Sequence, residues 1–103
     1  MNRIERITRM EKNLDVSAEA IKGLSEALEK YEAALPAWKK LCGYYGGAQW
    51  MRDFEADEAG KLPKDLKRGV LSEDTVYDLI VDNRELIMKM LELARISIGE
   101  GIM

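Results

Sequence analysis

Histidine is absent from this chain of 103 residues, and there is a single cysteine, Cys42. Without an imidazole as base, Cys42 cannot belong to a cysteine–histidine nucleophile, and di-metal carboxylate motifs that need histidine are excluded. One thiol allows no intramolecular disulfide, which fits a reducing compartment. Because the chain has no histidine and only one cysteine, we expect a protein that is not an enzyme and holds no cofactor.

Long apolar runs are missing as well. No segment approaches the roughly 20 apolar residues that cross a bilayer, and the first residues, MNRIERITRMEKN, lack the apolar run of a secretory signal. We therefore expect a cytoplasmic protein that has no membrane partner. The net charge is −3, and this acidic balance argues against a dedicated nucleic-acid-binding domain, which is normally basic.

What is present is an ordinary helical composition, with 34% charged and 47% apolar residues. That apolar fraction is too high for a disordered chain. A length of 103 residues suits one domain, so we predict a single helical domain over residues 1–103.

An apolar residue recurs every seven positions along the first 45 residues. The repeat comprises Ile7, Leu14, Ile21, Leu28, Leu35 and Cys42, with companions at Met10, Leu24, Tyr31, Trp38 and Tyr45. Only Ser17 interrupts the companion positions. The repeat predicts a long helix over about residues 3–45 with coiled-coil-like packing. Asn2 followed three residues later by Glu5 predicts a capping box at its start.

Pro36 lies inside this heptad pattern. Proline removes one helical hydrogen bond and crowds the preceding turn, at a cost of about 3 kcal/mol or more. Because the heptad continues in register through Pro36, we interpret it as a kink within one helix. The alternative is a break near Leu35, which would leave a separate short helix from Ala37 to Tyr45.

Two further helices follow. Gly43, Gly46 and Gly47 end the first helix, and Trp50 and Phe54 share one face of a short helix over about residues 48–58. Pro63 and Gly69 predict an ordered loop over 61–71. Ser72 then caps a C-terminal helix over about residues 73–98, whose predicted buried stripe comprises Val76, Leu79, Ile80, Asn83, Leu86, Ile87, Met90, Leu93, Ala94 and Ile98.

The predicted fold is all-α, with a long kinked N-terminal helix antiparallel to the C-terminal helix. The two helices would measure about 65 Å and about 39 Å, at 1.5 Å per residue. The shorter helix therefore leaves the first two heptads of the longer one uncovered. A bare apolar seam of that size is unusual on a soluble monomer.

We therefore predict a non-enzymatic structural or interaction module that self-associates, most simply as a two-fold dimer. The predicted self-association residues are Ile4, Ile7, Met10 and Leu14. A helix of another protein is the alternative partner. The competing interpretation is a break in the first helix that folds the overhang back, giving a compact monomer.

Basic residues concentrate in the predicted loop. An alternative function is weak nucleic-acid or other anion binding, in which aromatic rings stack beside positive charges. Its candidate residues are Tyr44, Tyr45, Lys61, Lys64, Lys67 and Arg68. The opposing interpretation is that aromatic side chains at helical spacing build core and that tyrosines anchor a loop through their hydroxyls.

Asp53 and Asp57 are four residues apart, so a helix would place both carboxylates on one face toward a hard cation. The EF-hand pattern is absent. The simpler interpretation, which we adopt, is a solvated acidic face paired with Lys61, Lys64 or Arg68, and we predict no metal site.

The segment from Tyr44 onward carries a long pattern. In order along the chain it contains YY, W, D, DE.G.LP.DLK.GVLSED and YDL, where a dot stands for any residue. In this pattern the chain resembles a bacterial family of small helical proteins of unknown function. The resemblance covers roughly the C-terminal three fifths of the chain, and the N-terminal helix is similar only in pattern. It implies a small bacterial helical protein and brings no activity, substrate or catalytic residue.

Overall fold

The structure is a computed structural model that describes residues 2–102. Its elements are α1 (Arg3–Tyr44), α2 (Ala48–Glu58), a 3-10 turn (Gly69–Leu71) and α3 (Thr75–Gly99). About 80% of the chain is helical, and residues 2–102 contain no strand. The predicted all-α class, with a long N-terminal, a short middle and a C-terminal helix, is confirmed.

Helix α1 begins with the predicted cap at Asn2. The Glu5 main-chain N–H donates to Asn2 Oδ1 at 2.8 Å, and Asn2 Nδ2 donates to Glu5 Oε1 at 3.4 Å. The Asn2 carbonyl accepts a hydrogen bond from the Arg6 N–H at 3.0 Å. The Glu5 N–H is one of the donors that have no helical partner in the first turn, and the bond from Arg6 is the first bond of the helical pattern.

Helix α1 runs without interruption through Pro36. The predicted alternative, a break near Leu35, is therefore wrong, and so is the folded-back overhang that needs such a break. Proline removes its own N–H donor and crowds the preceding turn, yet the helix continues on both sides of Pro36. The cost at one residue is offset by the helical turns that flank it.

Helix α1 ends at a glycine turn, as predicted. The Tyr45 N–H donates to the Leu41 carbonyl at 3.0 Å, and the Gly47 N–H donates to the Tyr44 carbonyl at 3.1 Å. Gly46 has a φ of +77°, in the left-handed region that glycine adopts at low cost. The chain therefore turns sharply before α2.

The chain divides into two compact units, Met1–Lys40 and Leu41–Met103. Helix α1, which supplies nearly all of the first unit, contains no buried residue. Its four predicted self-association residues have exposed fractions of 53 to 76%: Ile4, Ile7, Met10 and Leu14. The apolar seam of α1 therefore faces solvent in the single chain.

The second unit contains a small core. Trp50 of α2, Leu71 of the 3-10 turn and Val76 of α3 are its buried apolar side chains within the described residues. Both α2 and α3 pack on the 3-10 turn. Each of the three elements thus contributes one side chain to a core centred on the turn.

The apolar stripe of α3 is mostly exposed, which corrects the prediction that it is buried. Val76 is the one buried residue of α3, and Ile80 and Asn83 are partly covered. Seven other stripe residues are exposed: Leu79, Leu86, Ile87, Met90, Leu93, Ala94 and Ile98. The amphipathic pattern identified the apolar face of the helix, but such a pattern does not specify what covers that face.

Candidate functional site

Tyr45, Trp50 and Phe54 form an aromatic cluster in the second unit. The ring centroids of Tyr45 and Trp50 are 5.4 Å apart with an edge-on angle of 71°, and those of Trp50 and Phe54 are 5.1 Å apart and stacked at 16°. Trp50 and Phe54 meet because residues four apart share one face of α2. Edge-on and offset-stacked pairs add about 0.5–1.5 kcal/mol beyond burial.

The polar ends of this aromatic cluster bind the main chain near the start of α3. Trp50 Nε1 donates to the Val70 carbonyl at 2.8 Å, and the Tyr45 hydroxyl donates to the Glu73 carbonyl at 3.0 Å. Buried indole and phenol groups normally find such acceptors. The Tyr45 hydroxyl thus anchors the turn before α3, which follows the predicted loop, and Trp50 anchors the loop itself at Val70.

The Tyr44 hydroxyl bonds a carboxylate. It donates to Asp53 Oδ2 at 2.6 Å. This hydrogen bond raises the pKa of Tyr44 to about 12, and partial burial and the negative charge of Asp53 act in the same direction. Loss of the phenolic proton would place two negative charges side by side, so Tyr44 is held as a neutral donor.

An ion pair joins the loop to α2. Arg68 Nη1 lies 2.9 Å from Asp57 Oδ1, and their side chains are 36% and 26% exposed. Partly exposed pairs of this kind contribute about 1 kcal/mol or less. The pair confirms the simpler interpretation of the acidic run, in which a helix-face carboxylate pairs with a loop cation.

The six predicted anion-binding residues lie in different environments. The hydroxyls of Tyr44 and Tyr45 and the guanidinium of Arg68 bond partners within the chain. Lys61, Lys64 and Lys67 are exposed. Anion binding by this set stays a prediction.

Two open depressions flank the loop. One, of about 390 Å³, is mainly apolar and is lined by Leu41, Lys67, Gly69, Val70, Thr75, Val76 and Leu79. The other, of about 410 Å³, contains Arg68 together with four acidic side chains, those of Asp57, Glu58, Glu73 and Asp74. Four carboxylates around one guanidinium oppose the approach of an anion at Arg68.

The two carboxylates considered as cation ligands have hydrogen-bond partners of their own. Asp53 accepts from Tyr44, and Asp57 accepts from Arg68. Across residues 2–102, no group of three or more cysteine, aspartate or glutamate side chains is arranged to hold a metal ion.

The most extensive candidate surfaces are apolar. We call Ile4, Ile7, Met10 and Leu14 the N-terminal seam. Helix α3 offers a second surface, because Tyr77, Met88 and Leu91 are exposed at 57, 61 and 61% beside the exposed stripe. Sequence reasoning missed these three residues, although plotting α3 at 100° per residue places them next to the stripe.

Within residues 2–102, no helix combines the length and the apolar character needed to span a membrane. Residues 7–93 match the model of a family described as a domain of unknown function, DUF4298. The match starts within α1 and ends within α3, so it extends beyond the C-terminal three fifths that carried the sequence resemblance. Searches of curated proteins and of solved structures found no match.

Proposed function

Because the chain belongs to the DUF4298 family, a family without an assigned function, we propose its role from the geometry of the chain. We propose that the chain is a non-enzymatic interaction module that self-associates. The N-terminal seam of α1 is the proposed interface. The simplest assembly is a two-fold dimer, the commonest closed arrangement of identical chains. The single cysteine and the bacterial resemblance of the sequence support a place in the bacterial cytoplasm.

The observation that carries the proposal is the exposure of the N-terminal seam. Ile4, Ile7, Met10 and Leu14 are all more than half exposed, at positions that one helix face brings together. Burying a large aliphatic side chain completely stabilises by about 1.5–3 kcal/mol. Covering four such side chains on a partner helix supplies several kcal/mol toward association.

The accessible surface of the chain supports the same proposal. It amounts to 9147 Å², whereas a folded monomer of 11.7 kDa is expected to expose about 5,900 Å². The excess is large enough for each chain to supply its half of an obligate homodimer interface, which totals about 2,000–5,000 Å².

The charge of the first helix allows two copies to approach. Residues 1–47 carry eight basic and seven acidic side chains, so two such helices have almost no net repulsion. An apolar seven-residue repeat is also the pattern that helices use to pack on one another.

Light scattering at micromolar concentration tests the proposal. We expect a mass of twice 11.7 kDa for the native chain, and we expect Leu14→Asp to shift the mass toward the monomer because it buries a carboxylate in the seam. A clean monomer for the native chain contradicts self-association.

The matched control is Val16→Asp. Val16 is 69% exposed on the same helix, but it lies on the face opposite Leu14 at 100° per residue. This variant introduces the same charge and should keep the dimer mass. Far-UV circular dichroism on both variants separates loss of association from loss of helix.

A further inference from the structure

We propose that the N-terminal seam of α1 packs on the apolar face of α3 in a second copy, so that two reciprocal α1–α3 contacts hold the dimer. This inference rests on the proposed self-association and identifies the surface that receives the seam. The acceptor surface consists of exposed α3 residues around Leu79, Leu86 and Leu93.

Helix α3 has more apolar surface than one neighbouring helix covers. Leu79, Leu86 and Leu93 lie on one side, and Tyr77, Met88 and Leu91 continue the exposed apolar surface around the helix. At 100° per residue the two sets mark the two edges of an apolar sector that takes up more than half of the circumference, whereas a helix that packs on one neighbour needs a stripe of roughly 100°. Additional helical contacts would cover the remainder.

Charge makes the α1 seam and the α3 face complementary. Arg3 and Arg6 are exposed beside the N-terminal seam, whereas Arg9 lies on the face of Val16 at 100° per residue. Helix α3 presents an exposed acidic row in its first half, comprising Asp78, Asp82 and Glu85. The ion pairs found in residues 2–102 are Arg68–Asp57 and Arg95–Glu92. Arg3 and Arg6 and the acidic row are therefore available to face one another across an interface.

The middle of α1 is the competing acceptor, because residues 15–32 hold five acidic and two basic side chains. An antiparallel α1–α1 contact would also bring opposite charges together. It would, however, leave the apolar face of α3 exposed. The reciprocal α1–α3 contact covers both exposed faces with a single two-fold operation, and this favours α3 as the acceptor.

Charge reversal provides the first test. One variant carries Arg3→Glu and Arg6→Glu, and the other carries Asp78→Lys, Asp82→Lys and Glu85→Lys. Each variant alone places like charges across both contacts, so its dimer dissociation constant should rise about tenfold or more. Mixing the two variants makes both contacts complementary again, and a stable mixed dimer should form.

The control for charge reversal is Lys39→Glu with Lys40→Glu, at exposed positions toward the other end of α1. This control should leave dimerisation unchanged and should not rescue either charge-reversal variant. Dimer mass at several dilutions and at two salt concentrations is the measurement, since an electrostatic contact weakens as salt rises.

Cross-linking provides the second test and does not depend on altered charge. In a Cys42→Ser background, chains with Ile7→Cys are mixed with differently tagged chains that carry Leu79→Cys, Leu86→Cys or Leu93→Cys. Each chain has one thiol, so every disulfide joins two chains. Disulfides form only when the two Cα atoms come within about 7 Å, and Val16→Cys is the off-seam control.

The outcomes separate the two proposals. A mixed dimer after charge reversal, together with a disulfide from Ile7→Cys to one α3 position, supports the α1–α3 contact. A native dimer that yields Ile7→Cys homodisulfides and none to α3 overturns this contact but leaves self-association in place. A native chain that stays monomeric at every concentration overturns both.

Discussion

Tyr44 and Tyr45 are adjacent in the sequence, yet their hydroxyls bond different kinds of acceptor. Tyr45 donates to the main-chain carbonyl of Glu73, and Tyr44 donates to the carboxylate of Asp53. The first contact ties the aromatic cluster to the start of α3. The second couples the end of α1 to α2 through a group whose ionisation can be measured.

Tyr44 should therefore be the phenol that ionises near the top of the accessible pH range. Its pKa is raised from 10.0 to about 12, so the folded chain holds this proton more tightly than the unfolded chain. The stabilisation is fully present below about pH 10 and is lost as pH rises through about 12. We expect Tyr44→Phe to remove the latest phenolate absorbance step in an ultraviolet pH titration.

Asp53→Asn is the companion variant, because it keeps the phenol and removes the charge that it faces. In this variant the late absorbance step should move back toward pH 10, the ordinary value for tyrosine. If Tyr44→Phe still shows a phenol ionising near pH 12, the assignment to Tyr44 is wrong.

Sequence distance explains which residue contacts could be predicted. Asn2 caps α1 through the N–H of Glu5, and this pair is recognisable because its members are three residues apart. The acceptors of Trp50 and Tyr45 lie 20 and 28 residues further along. Those two bonds depend on the path of the loop, which no local pattern specifies.

At the scale of elements, the turn that leads into α3 depends on Ser72. Helix α3 itself begins at Thr75, two residues later than the predicted start. Ser72 Oγ accepts hydrogen bonds from the main-chain N–H groups of Asp74 and Thr75, both at 3.2 Å, and lies 3.0 Å from Thr75 Oγ1. One hydroxyl thus satisfies two donors that the first turn leaves without helical partners. The Tyr45 hydroxyl donates to the Glu73 carbonyl in the same turn, so a second hydrogen bond stabilises it.

Ser72→Ala should lower the free energy of unfolding by about 1 kcal/mol, the usual cost of removing a serine cap. Urea denaturation at fixed protein concentration measures the change. Ser97→Ala is the matched control, since Ser97 is exposed in the last turn of α3, far from Ser72, and its removal should change stability by less than about 0.5 kcal/mol. Equal losses in both variants would contradict a capping role for Ser72.

The elements were the most predictable part of the molecule, because periodicity, caps and glycine turns are local signals. The heptad correctly indicated that α1 continues through Pro36, against the local preference of proline. What failed was the burial of the α3 stripe. Leu86 and Leu93 occupy apolar positions but remain exposed, since covering them requires a partner that the periodicity of one helix cannot identify.

At the scale of the whole molecule, the described part of the chain buries only Trp50, Leu71 and Val76. These three side chains supply little of the hydrophobic stabilisation that a domain of this size normally gains. Stability should therefore depend on association. The candidate interface could be predicted from unequal helix lengths, whereas the surface that receives it could not, because the apolar periodicity of one helix does not identify its partner.

The melting temperature should consequently rise with protein concentration, because a partner that binds only the folded state stabilises it by mass action. Circular dichroism melts over two decades of concentration measure this dependence. Leu14→Asp should melt at a lower temperature that changes little with concentration. A native melting temperature that stays constant over the same range contradicts stabilisation by self-association.

The absence of any buried residue along α1 has a consequence for the lifetime of the protein. Lys12, Lys22 and Lys30 are exposed on a helix without a core of its own, so an unpaired copy presents a long segment that opens easily to proteases. A paired copy would be protected to the extent that pairing prevents this opening. Degradation would then remove surplus single chains first, and the cellular amount of the protein would follow the amount that has assembled.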